Sequence, residues 1–175
     1  MDALQQSFFA WFGLPERFAL DATALDAAYR AVQAQVHPDR FAQGLAAERR
    51  LAMQLATRAN EAYQTLRDPV RRARYLCERH GVDVGVETNT AMPPAFLMQQ
   101  MQWREALDDA RAAASRADVA RLADEVRAVR GGRLAGLADA IDGRADFATA
   151  AAVVRELMFI ERFAEELDAA EDRLA

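Results

Sequence analysis

The chain has 175 residues and a mass of 19.4 kDa, which suits one domain or two small ones. Its formal charge of -5 has the wrong sign for a protein that coats nucleic acid, and no apolar run is long enough to cross a membrane. The chain starts with the acidic Asp2 and has no basic residue before its short apolar patch, so it predicts neither a secretory signal nor a transit peptide. We therefore expect a cytoplasmic protein with neither nucleic acid nor a membrane as its partner.

Residues that build catalytic sites are scarce. The sequence has two histidines, His37 and His80, and one cysteine, Cys77, which excludes an internal disulfide and a multi-thiolate metal site. Cys77 and His80 lie three residues apart on a predicted helix, where the imidazole could lower the pKa of the thiol. The alternative is a packed apolar thiol and a histidine near a helix C-terminus. With no glycine-rich phosphate loop, we expect no enzymatic activity and no cofactor or metal.

The first half of the chain predicts two short and two long helices, starting with a short helix over the aromatic residues 8–12. A long helix begins after Asp21 or Thr23, both of which are suitable N-caps. It ends near Val36, because the residue before Pro38 is disfavoured in the helical conformation. The inward stripe of this helix is Leu25, Tyr29, Val32 and Val36.

The second long helix is predicted from about residue 45 to residue 66, antiparallel to the first. Its inward stripe is Leu51, Leu55, Ala59, Ala62 and Leu66. A closing short helix begins at Asp68 and Pro69, since proline is favoured in the first turn of a helix. The residues that this helix turns inward are Ala73, Leu76 and Cys77.

The second half of the chain predicts a three-helix bundle. Residues 81–94 contain Gly, Asn, Thr and paired prolines without a clear period, which indicates a linker. Amphipathic stretches follow at about 96–114, 118–141 and 147–174, joined by short polar turns. The glycine pair at 131–132 costs a helix interior about 1 kcal/mol per residue relative to Ala, so we expect a kink or break there. No strand-like alternation is present, and the predicted fold class is all-α.

The first half also resembles a J-domain. The fragment YRAVQAQVHPDRF, followed by ANEAYQTLRDPVRRARY, matches that family in order and spacing, over roughly residues 1–78. The resemblance implies binding to the ATPase domain of a DnaK/HscA-type chaperone, whose ATP hydrolysis J-domains accelerate without catalysing a reaction themselves. The residues that it assigns to chaperone binding are His37, Pro38, Asp39, Arg40 and Arg30.

The tripeptide at 37–39 has a plausible chemistry for this role. Pro38 fixes one backbone angle, so that His37 and Asp39 project from the loop. Asp39 would accept charge-assisted hydrogen bonds from a chaperone arginine. The alternative is an ordinary turn in which Asp39 caps a following helix. J-domains usually carry several basic residues on the preceding helix, where this chain offers only Arg30, which points to a dedicated chaperone with a different surface.

Over its whole length the chain resembles the HscB family, the J-domain co-chaperones of iron-sulfur cluster assembly. The features that carry this resemblance are a short J-domain, the sequence AFLMQQMQWREALDDA opening the bundle, and VRELMFIERF in its last helix. It implies domains at 1–80 and 95–175 with a linker at 81–94, and an IscU-type scaffold protein bound by the bundle. The residues that it assigns to the scaffold are Leu97, Met98, Met101, Gln102, Glu105 and Phe159.

The helical register supports a docking face on the first bundle helix. Leu97, Met98 and Met101 lie on one side of it, while Phe96 and Trp103 lie on another, and one three-helix core cannot bury both sides. The alternative is that these side chains are simply core. Two other functions stay open, namely a J-domain protein with a different client and a helical interaction module whose HPD tripeptide is inert.

Overall fold

The computed structural model describes residues 6–36, 45–85 and 92–174, and all regular structure in these ranges is helical, which confirms the all-α fold. By its internal contacts the chain divides into two compact units, Met1–Leu76 and Cys77–Ala175. The domain boundaries that the sequence predicts at 80/81 and 94/95 stay a prediction. None of the described helices combines the length and apolarity needed to cross a bilayer.

The first unit consists, in its described part, of a long helical hairpin with a short helix at each end. Its helices are α1 (Phe8–Trp11), α2 (Ala22–Val36), α3 (Ala46–Arg67) and α4 (Pro69–Arg79), of which α4 runs three residues into the second unit. Local hydrogen bonds fix where they start. The Ser7 hydroxyl accepts from the Ala10 amide, and the Asp21 and Asp68 carboxylates accept from the Thr23 and Arg71 amides.

Aromatic stacking attaches α1 to the rest of this unit. The Phe8 ring stacks on Tyr75 of α4 with centroids 4.5 Å apart, and the Phe8 amide donates to the Tyr75 hydroxyl at 2.9 Å. On α3, the Arg58 guanidinium lies 4.4 Å from the centroid of the same Phe8 ring. One aromatic residue of α1 therefore contacts both of the helices that close the unit.

The inward stripe of α3 was predicted correctly over its second half and wrongly at its start. Ala59, Ala62 and Leu66 are buried, but Leu51 is 50% exposed and Ala52 takes the inward position. Two steps of four residues rotate Leu51 by about 80° away from Ala59, whereas Ala52, seven residues before Ala59, lies within about 20° of it. A stripe read in steps of four therefore drifts off the buried face.

The second unit is an up-down-up bundle in its described part. It consists of α5 (Pro94–Ala112), α6 (Arg116–Ala138) with a π-helical turn at Asp139–Gly143, and α7 (Phe147–Arg173). Ion pairs show the antiparallel register of α6 and α7, because Arg116 pairs with Glu171 at 3.5 Å and Arg133 pairs with Glu156 at 2.7 Å. The Ser115 hydroxyl and the Asp146 carboxylate cap α6 and α7.

Of the kink or break predicted at the glycine pair, the break is wrong. Helix α6 continues through Gly131 and Gly132, and its hydrogen-bonding pattern changes only at the π-helical turn that follows it. Val126 and Leu137, on either side of the pair, are buried in the bundle. Burial of these flanking side chains outweighs the local cost of two glycines, as packing commonly overrides intrinsic propensity.

Replacing Gly131 or Gly132 by Ala is expected to stabilise the protein by about 0.4–1 kcal/mol each. Both glycines are exposed and helical, and a Cβ at either position meets nothing within 4 Å. Gly81→Ala is the matched control, because Gly81 has equal space but a φ of +76°, where a side chain is strained. Urea unfolding should show opposite signs for the two kinds of variant, and destabilisation by Gly131→Ala would contradict the argument.

Candidate functional site

The HPD tripeptide lies outside the described residues, as does Arg40, so its role stays a prediction. Helix α2 ends at Val36 just before it, and the description resumes at Leu45 before α3. What the structure does describe is the pair of helices on either side of residues 37–44. Arg30, the remaining predicted chaperone-binding residue, is exposed on α2.

A small polar network holds α2 and α3 in register. The Tyr29 hydroxyl donates to Asn60 Oδ1 at 2.7 Å, and the side-chain Nε2 of Gln33 donates to the same oxygen. One turn away, the Tyr63 hydroxyl donates to Asp26 Oδ1 at 2.8 Å. These contacts would all break if one helix slid along the other, so they fix the register of α2 against α3.

The two tyrosines of this network also stack on each other. Their ring centroids are 4.1 Å apart with an interplanar angle of 18°, and the Arg67 guanidinium lies 5.6 Å from the Tyr63 centroid. The pKa of Tyr63 is raised above its ordinary value, mainly by the hydrogen bond to Asp26 and to a smaller extent by burial. The Tyr63 hydroxyl therefore keeps its proton, and with it the bond between the helices, to a higher pH than an ordinary tyrosine would. Sequence reasoning missed this network, although the i, i+4 spacing of Tyr29 and Gln33 is a signal for it.

The predicted scaffold-binding residues of α5 share one exposed face, which we call the α5 face. Leu97, Met98 and Met101 are 45%, 64% and 63% exposed, respectively. Gln102 and Glu105 are exposed beside them. Large apolar side chains this exposed are costly in water unless a partner covers them, and methionine adapts its shape to a partner surface.

The opposite face of α5 is packed into the bundle. Phe96, Trp103 and Leu107 are buried, and the Trp103 indole donates to Glu125 of α6 at 2.8 Å. The Trp103 ring stacks on Phe163 of α7 with centroids 5.8 Å apart. The bundle core is thus complete without the α5 face, so the reading of Leu97, Met98 and Met101 as core residues is wrong.

Phe159 of α7 lies in a different environment from the rest of the predicted set. Its ring is only partly exposed and packs edge-on against Phe96, with centroids 5.8 Å apart, and in parallel with Phe163. The Arg104 guanidinium lies 5.7 Å from the Phe159 centroid. Phe159 is therefore first a packing residue beneath α5. Sequence reasoning missed Arg104 of α5, whose guanidinium contacts the Phe159 ring.

Cys77 has the environment of a structural thiol. It is fully buried at the end of α4, and its Sγ lies 3.7 Å from the Phe147 carbonyl oxygen of α7. Burial raises the pKa of the Cys77 thiol to about 11. The His80 ring does not activate the thiol but stacks on Phe147 with centroids 3.8 Å apart. Within the described part of the chain, no group of three metal-binding side chains comes together.

Comparison with known proteins places the whole chain in one family. Residues 92–168 match the family model described as the HSCB C-terminal oligomerisation domain. The "Co-chaperone protein HscB homolog" of Burkholderia thailandensis is 58% identical over 174 residues, which cover 99% of each chain. The chain belongs to the HscB family. The homologue of the same name from Bordetella avium is 59% identical over 162 residues, covering 93% of this chain and 95% of that protein.

Solved HscB structures share the fold. The chaperone HscB from Vibrio cholerae superimposes with a TM-score of 0.86 at 37% identity, covering 97% of this chain and all of that one. The human co-chaperone protein HscB gives a TM-score of 0.89 at 25% identity, over 94% of this chain and 82% of the human one. The family predicted from the sequence is confirmed.

Because its thiol is buried, Cys77 is expected to react slowly with a thiol reagent at pH 8 in the native protein and rapidly in denaturant. In the unfolded chain the thiol ionises near its ordinary value of 9.0, while in the folded chain it stays protonated up to about 11. This group therefore leaves stability unchanged below pH 9 and lowers it between pH 9 and 11. Urea unfolding at both ends of this interval should show the loss, and Cys77→Ala should remove that component. Rapid native labelling would contradict the prediction.

Proposed function

We propose that this HscB-family protein is a co-chaperone that brings an IscU-type scaffold to a DnaK/HscA-type chaperone and stimulates the ATPase of that chaperone. It thereby aids iron-sulfur cluster assembly in the cytoplasm and catalyses no reaction itself. The observation that carries the client half of the proposal is the α5 face, where Leu97, Met98 and Met101 are exposed on a bundle whose core is complete without them. Family membership supports the chaperone half.

The α5 face has the chemistry of a protein-docking surface. Its apolar centre is bordered by Gln102 and Glu105, and Asp109 lies one turn beyond Glu105 on the same side of α5. An apolar centre with a polar rim is the usual anatomy of a protein interface. The scaffold surface that fits it is apolar at its centre and has a basic residue opposite Glu105.

The chaperone contact is proposed for residues 37–40, which lie between α2 and α3 in the sequence. Asp39 would accept hydrogen bonds from a chaperone arginine, with His37 beside it. The register of α2 and α3 is fixed by the Tyr29 and Tyr63 hydrogen bonds, so the helices on either side of residues 37–44 are held in one arrangement. Such preorganisation lowers the conformational entropy lost on binding.

Electrostatic steering toward the chaperone would come from more than α2. Arg30 is the one basic residue of that helix. Arg49 and Arg50, exposed in the first turns of α3, add positive charge after residues 37–44. A dedicated chaperone with a less acidic docking surface than a general DnaK fits this distribution. The predicted preference is for the HscA type.

His37→Gln is expected to abolish stimulation of the chaperone ATPase and to leave the helical circular dichroism and the scaffold affinity unchanged. The substitution removes the imidazole from the loop without touching the α2–α3 network or the α5 face. A steady-state ATPase assay with purified HscA-type chaperone provides the measurement. Loss of the helical signal would show that His37 is structural, and full stimulation by the variant would show that the tripeptide is inert.

Leu97→Ala combined with Met101→Ala is expected to weaken scaffold binding by about 2–4 kcal/mol, as truncation of interface hot spots does. The melting temperature should stay unchanged, because both side chains are at least 45% exposed. Isothermal titration calorimetry against an IscU-type scaffold measures the loss.

Two controls separate docking from packing in this experiment. Leu107→Ala, at a residue only 1% exposed on the buried face of α5, should lower the melting temperature. Phe159→Ala should lower both stability and affinity, because the Phe159 ring supports Phe96. Failure of the unsubstituted protein to bind the scaffold would leave the chaperone contact standing and assign the α5 face to another client.

A further inference from the structure

One charged side chain in the bundle is buried where an apolar residue would suffice. Glu156 of α7 is 5% exposed and lies among core residues that include Val154, Leu157 and Ile160. Its carboxylate accepts from Arg133 Nε of α6 at 2.7 Å. The Glu156 side chain is 7% exposed and the Arg133 side chain 39%, so it is the carboxylate that is buried, while the guanidinium keeps part of its contact with water. Replacing a buried charge and its partner by apolar residues of similar volume is often neutral or stabilising, so stability alone does not explain this pair.

The pair reaches the third helix through an aromatic ring. The Arg133 guanidinium carbon is 5.9 Å from the centroid of the Phe96 ring, at the outer limit of a cation–π contact. Phe96 is 2% exposed and lies in the first turn of α5. Arg133 of α6 is thus hydrogen-bonded to Glu156 of α7 and faces Phe96 of α5, so side chains of all three bundle helices meet at its guanidinium.

Phe96 in turn determines how the first turns of α5 are rotated. Its ring meets Trp103 and Phe159 edge-on, with centroids 6.4 and 5.8 Å away. Leu97 and Met98, which directly follow Phe96, point away from this cluster and are exposed. Since successive helical residues differ by about 100°, any rotation that moves Phe96 moves Leu97 and Met98 with it.

A second polar contact fixes α5 further along. The Trp103 indole donates to Glu125 of α6 at 2.8 Å, two turns after Phe96. The first half of α5 is therefore attached at two points, one at Phe96 and one at Trp103. Most residues of the α5 face lie between Phe96 and Trp103 in the sequence, which is the arrangement expected of a surface held in one orientation.

We propose that the Arg133–Glu156 pair is a positioning device for the α5 face. By holding the guanidinium against Phe96, it fixes the rotation of the first two turns of α5, so that Leu97, Met98 and Met101 project together toward the client. Both are positioning residues, and neither is proposed to touch the scaffold. The inference rests on the proposed function only for the identity of that client.

The test replaces the pair by apolar residues of similar size, as Arg133→Met with Glu156→Leu. The expected result is an unchanged or raised melting temperature together with a Kd for the IscU-type scaffold raised about tenfold. Amide hydrogen exchange of residues 97–101 in the free protein should accelerate, because the first turns of α5 lose one attachment.

The matched control is Arg130→Met with Glu161→Leu. This pair joins the same two helices at a similar distance, 2.8 Å, and among the described residues it makes no ring contact with α5. It should change neither the scaffold affinity nor the exchange of residues 97–101. Arg133→Lys provides a milder variant that keeps the charge but not the planar group, and it should show a smaller change of the same sign.

The outcomes separate the inference from the proposed function. If the unsubstituted protein does not bind the scaffold, the proposed client is wrong, and hydrogen exchange at 97–101 still decides the positioning role. Unchanged exchange in the Arg133→Met, Glu156→Leu protein would overturn the inference. Equal effects of the control pair would also overturn it, because the change would then follow from any loss of an ion pair between α6 and α7.

Discussion

Helix α5 carries apolar side chains around more of its surface than its two neighbours in the bundle can cover. Phe96, Trp103 and Leu107 fill the space against α6 and α7, and this leaves Leu97 and Met101 in water. A helix that packs against two others has a single buried stripe, so a second apolar stripe stays outside whatever the details of the core. This constraint turns the α5 face into a surface that needs a partner, and the client half of the proposed function depends on it.

The two units of the chain differ in charge. Residues 1–76 contain ten arginines and eight acidic residues, a net charge of +2, whereas residues 77–175 contain twelve arginines and nineteen acidic residues, a net charge of -7. A single value of -5 for the whole chain conceals this difference. In the proposed function this difference would add selectivity, because two partners are told apart more readily when the surfaces that bind them carry opposite charge.

The helices and the α5 face could be predicted from the sequence because they depend on local rules. The Asp21 cap, the proline at 69 and the register of residues 96–103 require only backbone geometry and helical periodicity. The HPD tripeptide required the resemblance to a family, since its chemistry depends on a partner.

The errors came from contacts between helices that local rules do not describe. Leu51 was predicted to face inward, but steps of four residues accumulate rotation and place it off the buried face. The glycine pair at 131–132 is helical because residues on both sides are packed. The sequence also does not show that the ring of Phe159, whose contact with the scaffold stays a prediction, packs against Phe96. The burial of Glu156 was missed for the same reason, since a carboxylate in a helix is exposed by default until a partner such as Arg133 is known.

Both proposed binding elements lie next to polar contacts between helices that the proposed partners would not touch. In the first unit the Tyr29 and Tyr63 hydrogen bonds hold together α2 and α3, which flank residues 37–44, and in the second the Trp103 indole bonds α5 to Glu125 of α6. Apolar packing tolerates small rotations and slides of a helix, whereas a hydrogen bond with defined donor and acceptor directions does not. The proposed function requires binding to and release of two partners, so the affinity for each has to stay moderate. Rigid presentation allows a small apolar face to be selective at that affinity, because little conformational entropy is lost when the partner binds.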